Sequence, residues 1–106
     1  MHKFIGRWRI TSMEVWDQDY IDCEQPGYFE FTANNQGEFA FGYVEGQLDI
    51  RYSSRQKRLD FSWAGCDEMD ESSGRGFFKF SDNNTGEGQI YFHLGEESAV
   101  KIERLS

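Results

Sequence analysis

Alternation of apolar and polar residues at period two, broken by short Gly- and Asn-bearing stretches, limits this chain to a small set of folds. Leu48, Ile50 and Tyr52 alternate with Asp49, Arg51 and Ser53, and Leu59, Phe61 and Trp63 alternate with Arg58, Asp60 and Ser62. Successive side chains on a strand point to opposite faces, so this pattern describes a sheet with one dry face and one wet face.

Six more segments carry the same period. The first, residues 6–16, holds Trp8 and Ile10 on one parity and Met13 and Val15 on the other. One extra residue near Thr11 and Ser12 reconciles them, which predicts a β-bulge and a bent strand. Residues 27–33 present Phe29 and Phe31 to the core, and residues 38–44 present Phe39, Phe41 and Tyr43. Phe78 and Phe80 lie inward in residues 75–81, as do Ile90, Phe92 and Leu94 in residues 87–94 and Val100 and Ile102 in the final strand. Turns are expected at 34–37, at Glu45-Gly46, at 54–57, at 82–86 and at 95–98. Two longer acidic connections remain: residues 17–26, a loop or short helical turn, and residues 65–74.

Eight strands joined by hairpin-length links predict an all-β fold, an eight-stranded antiparallel up-and-down barrel with short or no helices. Eight is the number at which the interior is just filled by side chains, and closure removes the edges that would template aggregation. At 106 residues the chain makes one domain, 1–106. A small core needs large side chains, and ten Phe and three Trp supply them.

The net charge of -8 is the opposite of what counterion release from a phosphate backbone requires, so neither nucleic acid nor an anionic membrane is expected as a partner. The sequence contains no apolar run of membrane-spanning length, and its first residues lack the apolar segment of a signal peptide. A cytoplasmic location is the resulting expectation, with Cys23 and Cys66 as thiols whose spacing matches no metal motif. No metal or cofactor is assigned. The chain carries no nucleophile, phosphate-loop or dinucleotide motif. His93 falls on the wet face of its strand and His2 lies near the chain start, so no catalytic residue is assigned.

The head of the first strand, Gly6-Arg7-Trp8, resembles the Gly-x-Trp signature of the lipocalin or calycin barrels. In that family the Trp closes one end of the barrel and an Arg near the end of the last strand lies across it. The resemblance therefore implies a structural closed end made by Gly6, Trp8 and Arg104. The stretches Trp16-Asp17-Gln18-Asp19-Tyr20 and Asp67-Glu68-Met69-Asp70 are also similar to those of a family of small bacterial proteins of unassigned function.

In a meander every second connection lies at the same end. One end then gathers Asp17, Asp19, Asp22, Glu24, Glu45, Asp67, Glu68, Asp70, Glu71, Glu96 and Glu97 with no Lys or Arg in those connections, while Lys3, Arg7, Arg55, Lys57, Arg58 and Arg104 gather at the other. Such a rim, with aromatic residues in it, suits a basic protein or a cation. The expected function is a non-enzymatic binding module whose site is Trp16, Asp17, Asp19, Tyr20, Asp22, Asp67, Glu68, Met69 and Asp70. A lipocalin-like carrier of a small apolar ligand is the alternative, and an enzyme using rim carboxylates the third reading.

Overall fold

The computed structural model describes residues 3–105; His2 lies outside the described residues. Eight strands run in order: β1 (Gly6–Met13), β2 (Tyr28–Thr32), β3 (Gln36–Phe41), β4 (Val44–Ser53), β5 (Arg58–Asp67), β6 (Asp70–Phe80), β7 (Thr85–Phe92) and β8 (Glu97–Arg104). Each pairs antiparallel with its neighbours in sequence, and β1 pairs with β8, so the sheet closes as an up-and-down barrel. A single helical turn, α1 (Gln18–Ile21), lies between β1 and β2.

The expected bulge is present. On β1, Ile10 pairs with Ile102 and Ser12 with Lys101, leaving Thr11 as the extra residue. The bend lets one strand serve both neighbours: residues 6–9 pair with β2, and residues 8–13 pair with β8.

The interior is filled with aromatic rings. Phe29 stacks on Phe39 with ring centroids 5.0 Å apart, meets Phe78 edge-on at 4.8 Å and lies 5.8 Å from Phe61. These rings fit because opposing inward positions carry no side chain. A Cβ on Gly46 would fall 2.7 Å from Phe39 Cε1 and 2.9 Å from Trp63 Cε3. At one end the core is finished by Phe4, stacked on Phe80 at 3.9 Å, and by Trp8, which is fully buried. Trp8 Nε1 donates to the Phe4 carbonyl at 3.0 Å. The guanidinium of Arg104 lies 4.6 Å from the Trp8 ring and donates to the carbonyls of Lys3, Ile5 and Asn83. Gly6 holds φ 136, a conformation closed to residues with a side chain, which is the local reason for Gly two positions before this Trp.

Three sequence expectations are corrected. The β3–β4 turn is Gly42–Tyr43 rather than Glu45-Gly46, so Tyr43 points outward. Gly46 is there for its size beneath Phe39 and Trp63, and the turn glycine is Gly42 at φ 57. Residues 65–74 are not a loop: β5 and β6 continue to a tight turn at Glu68-Met69, with Asp67 paired to Asp70. Gly65 pairs with Ser72 and Gly74 with Trp63, so the apolar alternation vanishes while the ladder continues. Leu94 is not core. β7 ends at Phe92, whose N–H bonds the Glu96 carbonyl at 2.8 Å, and Leu94 stands exposed at φ 58 in the turn.

Trp8→Ala is expected to cost about 3–5 kcal/mol in urea unfolding, the usual loss for deleting a buried aromatic side chain. Gly46→Val, which adds atoms where rings already touch, should cost about 1–3 kcal/mol. A loss under 1 kcal/mol in either would count against the packing described.

Candidate functional site

The end of the barrel opposite Trp8 is closed by the chain between β1 and β2. Beyond Met13 the backbone is held by Ser98, which is fully buried; its Oγ accepts from the N–H groups of Glu14 and Val15, both at 3.1 Å, and donates to the Ala99 carbonyl at 2.9 Å. Trp16 then packs across the mouth, 4.9 Å from Phe41 and 5.7 Å from Phe92. Asp17 caps α1 by accepting from Tyr20 N at 2.9 Å, a standard use of Asp at a helix start. Ile21 is fully buried beneath the turn, and its carbonyl accepts from Gly42 N at 2.9 Å. Tyr20 lies directly over Gly42, where a Cβ would strike the ring, and its hydroxyl accepts from Tyr43 N at 3.3 Å.

Asp22 anchors this lid. It accepts two bonds from Arg9, at 2.7 and 2.6 Å, one from Gly27 N at 2.8 Å and one from Gln18 at 3.1 Å. The Arg9 bonds, with those from Gly27 and Gln18, hold its carboxyl far below the usual carboxylate range, against the opposing effect of burial. Counting loop charges alone makes this end uniformly acidic, but the structure brings Arg9 in from β1. Asp22 is therefore spent on the lid.

The other expected site residues divide. Trp16 and Tyr20 are half-buried parts of the lid rather than free anchors. Asp17, Asp19 and Asp70 are exposed, Asp67 is half-buried at the end of β5, and Met69 is almost fully exposed at 96%. Glu68, at φ 57, donates its N–H to the Tyr43 carbonyl at 2.9 Å, which joins the β5–β6 turn to the β3–β4 turn. That contact brings together Tyr20, Tyr43, Asp67 and Glu68 with Cys23 and Glu24. Burial raises the Tyr20 phenol, with a further push from Asp67, Cys23 and Glu68. Cys23 and Glu24, followed by Glu68, push the Tyr43 phenol up.

Beside Tyr43 lies an open cleft of about 290 Å³, lined by Glu24, Gln25, Ala40, Gly42, Tyr43, Val44, Glu45, Cys66 and Glu68. Three carboxylates face it and no basic residue does. Cys66 Sγ lies 3.8 Å from Glu45 Oε1. Tyr43 is missing from the sequence-derived site because alternation assigns it to a strand, and Cys66 because, although inside the expected 65–74 connection, it is an uncharged thiol whose spacing from Cys23 matches no metal motif. Glu45 belongs to β4, facing out, and its place in the cleft depends on pairing across to Cys66. Among the described residues no group of three or more His, Cys, Asp and Glu side chains is placed to hold a metal ion. Likewise, no helix among them is long and apolar enough to cross a membrane.

The opposite end differs in chemistry. Arg7 pairs with Glu30 at 2.8 Å and lies over Tyr28, and Arg58 pairs with Asp60 and lies over Phe77. A cavity of about 530 Å³ opens there, lined by Lys3, Ile5, Thr32, Ala33, Asn34, Asn35, Tyr52 and Ser54. No protein-family model, curated protein or solved structure matches this chain.

Asp22→Asn is expected to lower stability by about 1–3 kcal/mol, since it leaves Arg9 half-buried without its partner. A red shift of tryptophan emission would report Trp16 loosening with the lid. Because the folded-state acidity is increased, the wild-type advantage should be full above about pH 4 and disappear only as pH falls through the lowered native value. Denaturant melts of both proteins across that range check the sign.

Proposed function

We propose that this chain is a non-enzymatic binding module that recognises a basic segment of another protein at the lid end. One observation carries the reading: Glu24, Glu45 and Glu68 line one cleft around the exposed ring of Tyr43, with no cation among the lining residues. A Lys or Arg side chain laid on a tyrosine face, with carboxylates at its tip, gains both a cation–π contact and charge-assisted hydrogen bonds. Near the other end Arg7 and Arg58 are paired with Glu30 and Asp60, which lowers the free positive charge there, whereas the cleft carboxylates have no basic residue among the groups that line the cleft with them. A basic protein is favoured over a metal cation because the carboxylates are spread around a cleft instead of converging on one point.

The likeness to lipocalin or calycin barrels, the relation to small bacterial proteins and a cytoplasmic location belong to the same reading. A carrier of a small apolar ligand has less support, since rings occupy the barrel axis. Its specific place would be the cavity beside Tyr52, whose lining mixes Lys3, Asn34 and Asn35 with Ile5 and Ala33. An enzyme using Asp67 or Asp70 as acid and base is the third reading.

The test is calorimetry with a Lys-rich peptide that has no apolar face, at low salt. Binding should vanish in the combined variant Glu24→Gln, Glu45→Gln, Asp67→Asn, Glu68→Gln while the melting temperature stays within a few degrees. Undiminished binding by that variant would sink the proposal.

A further inference from the structure

Exposed apolar side chains are distributed between the two ends of the barrel as unevenly as the charges. Among the described residues, the large apolar side chains that are exposed are Val15, Tyr43, Met69, Leu94 and Leu105. The first four fall one in each connection of the lid end: β1–β2, β3–β4, β5–β6 and β7–β8. The connections at the other end, 33–35, 54–57 and 81–84, contain Ala, Ser, Arg, Gln, Lys, Asn and Asp only.

Turn chemistry does not account for this. Met69 and Leu94 are each 96% exposed, so neither contributes to the core. Leu94 also takes φ 58, a region that L side chains enter at a cost and that Asn or Gly fills readily, although Gly95 is its neighbour. A strained, fully exposed leucine at a hairpin tip costs local stability and adds nothing to the core.

The tips have a definite arrangement. The β3–β4 and β5–β6 turns are joined by the bond from Glu68 N to the Tyr43 carbonyl. The β7–β8 turn meets β6 lower down, where His93 N donates to the Ser73 carbonyl at 2.7 Å. Ser73 lies four residues along the strand from Met69 and Leu94 is one residue beyond His93, so the first pair of turns stands roughly 10 Å further along the strand direction than Leu94. The end is therefore stepped, with Tyr43 and Met69 on the high side and Leu94 on the low side, where Ser98 near the start of β8 also holds the Val15 N–H. An α-helix is about 10–12 Å across, close to the height of that step.

We propose that the four tips are the anchors of a docking surface for a cationic amphipathic helix of another protein. This rests on the reading of the acidic end given above and specifies its partner. Each anchor has a carboxylate within two residues, Glu14, Glu45, Glu68 and Glu96 respectively, which matches a helix with an apolar face flanked by Lys or Arg. The same carboxylates oppose an anionic bilayer.

The experiment uses two peptides of identical Leu and Lys composition, about five helical turns long. One has a continuous apolar face and the other is scrambled to have none. Calorimetry at physiological salt should show the amphipathic peptide binding at least about tenfold more tightly than the scrambled one. The double variant Met69→Ser, Leu94→Asn should lose that preference yet melt at the same temperature or higher, because Asn accepts the turn conformation better than Leu. Equal binding of the two peptides, or an unchanged preference in the double variant, overturns the inference. In that case the scrambled peptide still tests the acidic cleft through its neutralised variant, so the two readings fail separately. Self-association of the wild type that the double variant abolishes would make the occupant a second copy and also overturn it. Binding to phosphatidylcholine vesicles in place of the peptide would do the same.

Discussion

Trp63 lies between two strands that yield to it. Its six-membered ring sits over Gly46 on β4, and its Nε1 reaches past Gly74 on β6 to donate to the Tyr91 carbonyl at 3.2 Å. Its ring also meets Phe39 and Phe92 edge-on, at 5.1 and 5.0 Å. An eight-stranded barrel has room for one layer of rings at each level only if the facing positions are small. Ring opposite glycine is the constraint on which the closed sheet depends. It recurs where Phe61 faces Gly76 and Phe80 faces Gly86.

Filling the axis this way moves any recognition to the ends and the surface. At the end marked by Trp8, Arg104 and the N-terminal residues tie three segments together, and the ion pairs of Arg7 and Arg58 reduce the free charge of the neighbouring wall. At the other end a lid replaces ordinary hairpin closure. Ser98 supplies an acceptor to the Glu14 and Val15 N–H groups just beyond β1, and Arg9 supplies the counter-charge for Asp22. The lid is a well-bonded element, so the groups available to a partner are those around it: the Tyr43 cleft and the turn tips.

Much of the architecture was legible along the chain. Alternation located all eight strands, and the parity change between Ile10 and Met13 located the bulge at Thr11. The expected closed end also formed, with residue 104 paired to residue 8. Glycine was the main source of error, because an inward glycine under a ring and a turn glycine look alike in one dimension. Gly46 was read as a turn and proved to be a seat for Phe39 and Trp63, and the glycines at 65 and 74 hid the continuation of β5 and β6. The candidate site was partly legible: Glu68 and Asp67 do lie beside the cleft, whereas Tyr43 and Cys66 enter it only through the true turn positions.

By itself, then, the sequence determined the all-β class, the strand count and the surplus of acid in alternate connections, since each follows from local periodicity and composition. Tertiary structure alone decided which acids are free and which apolar residues are exposed. Asp22 lost its availability to an arginine 13 positions away, brought across by the lid. Trp16 folded inward onto Phe41, while Leu94 was turned out by the hydrogen bond that ends β7. Those outcomes depend on contacts between distant segments, which exist only once the barrel has closed.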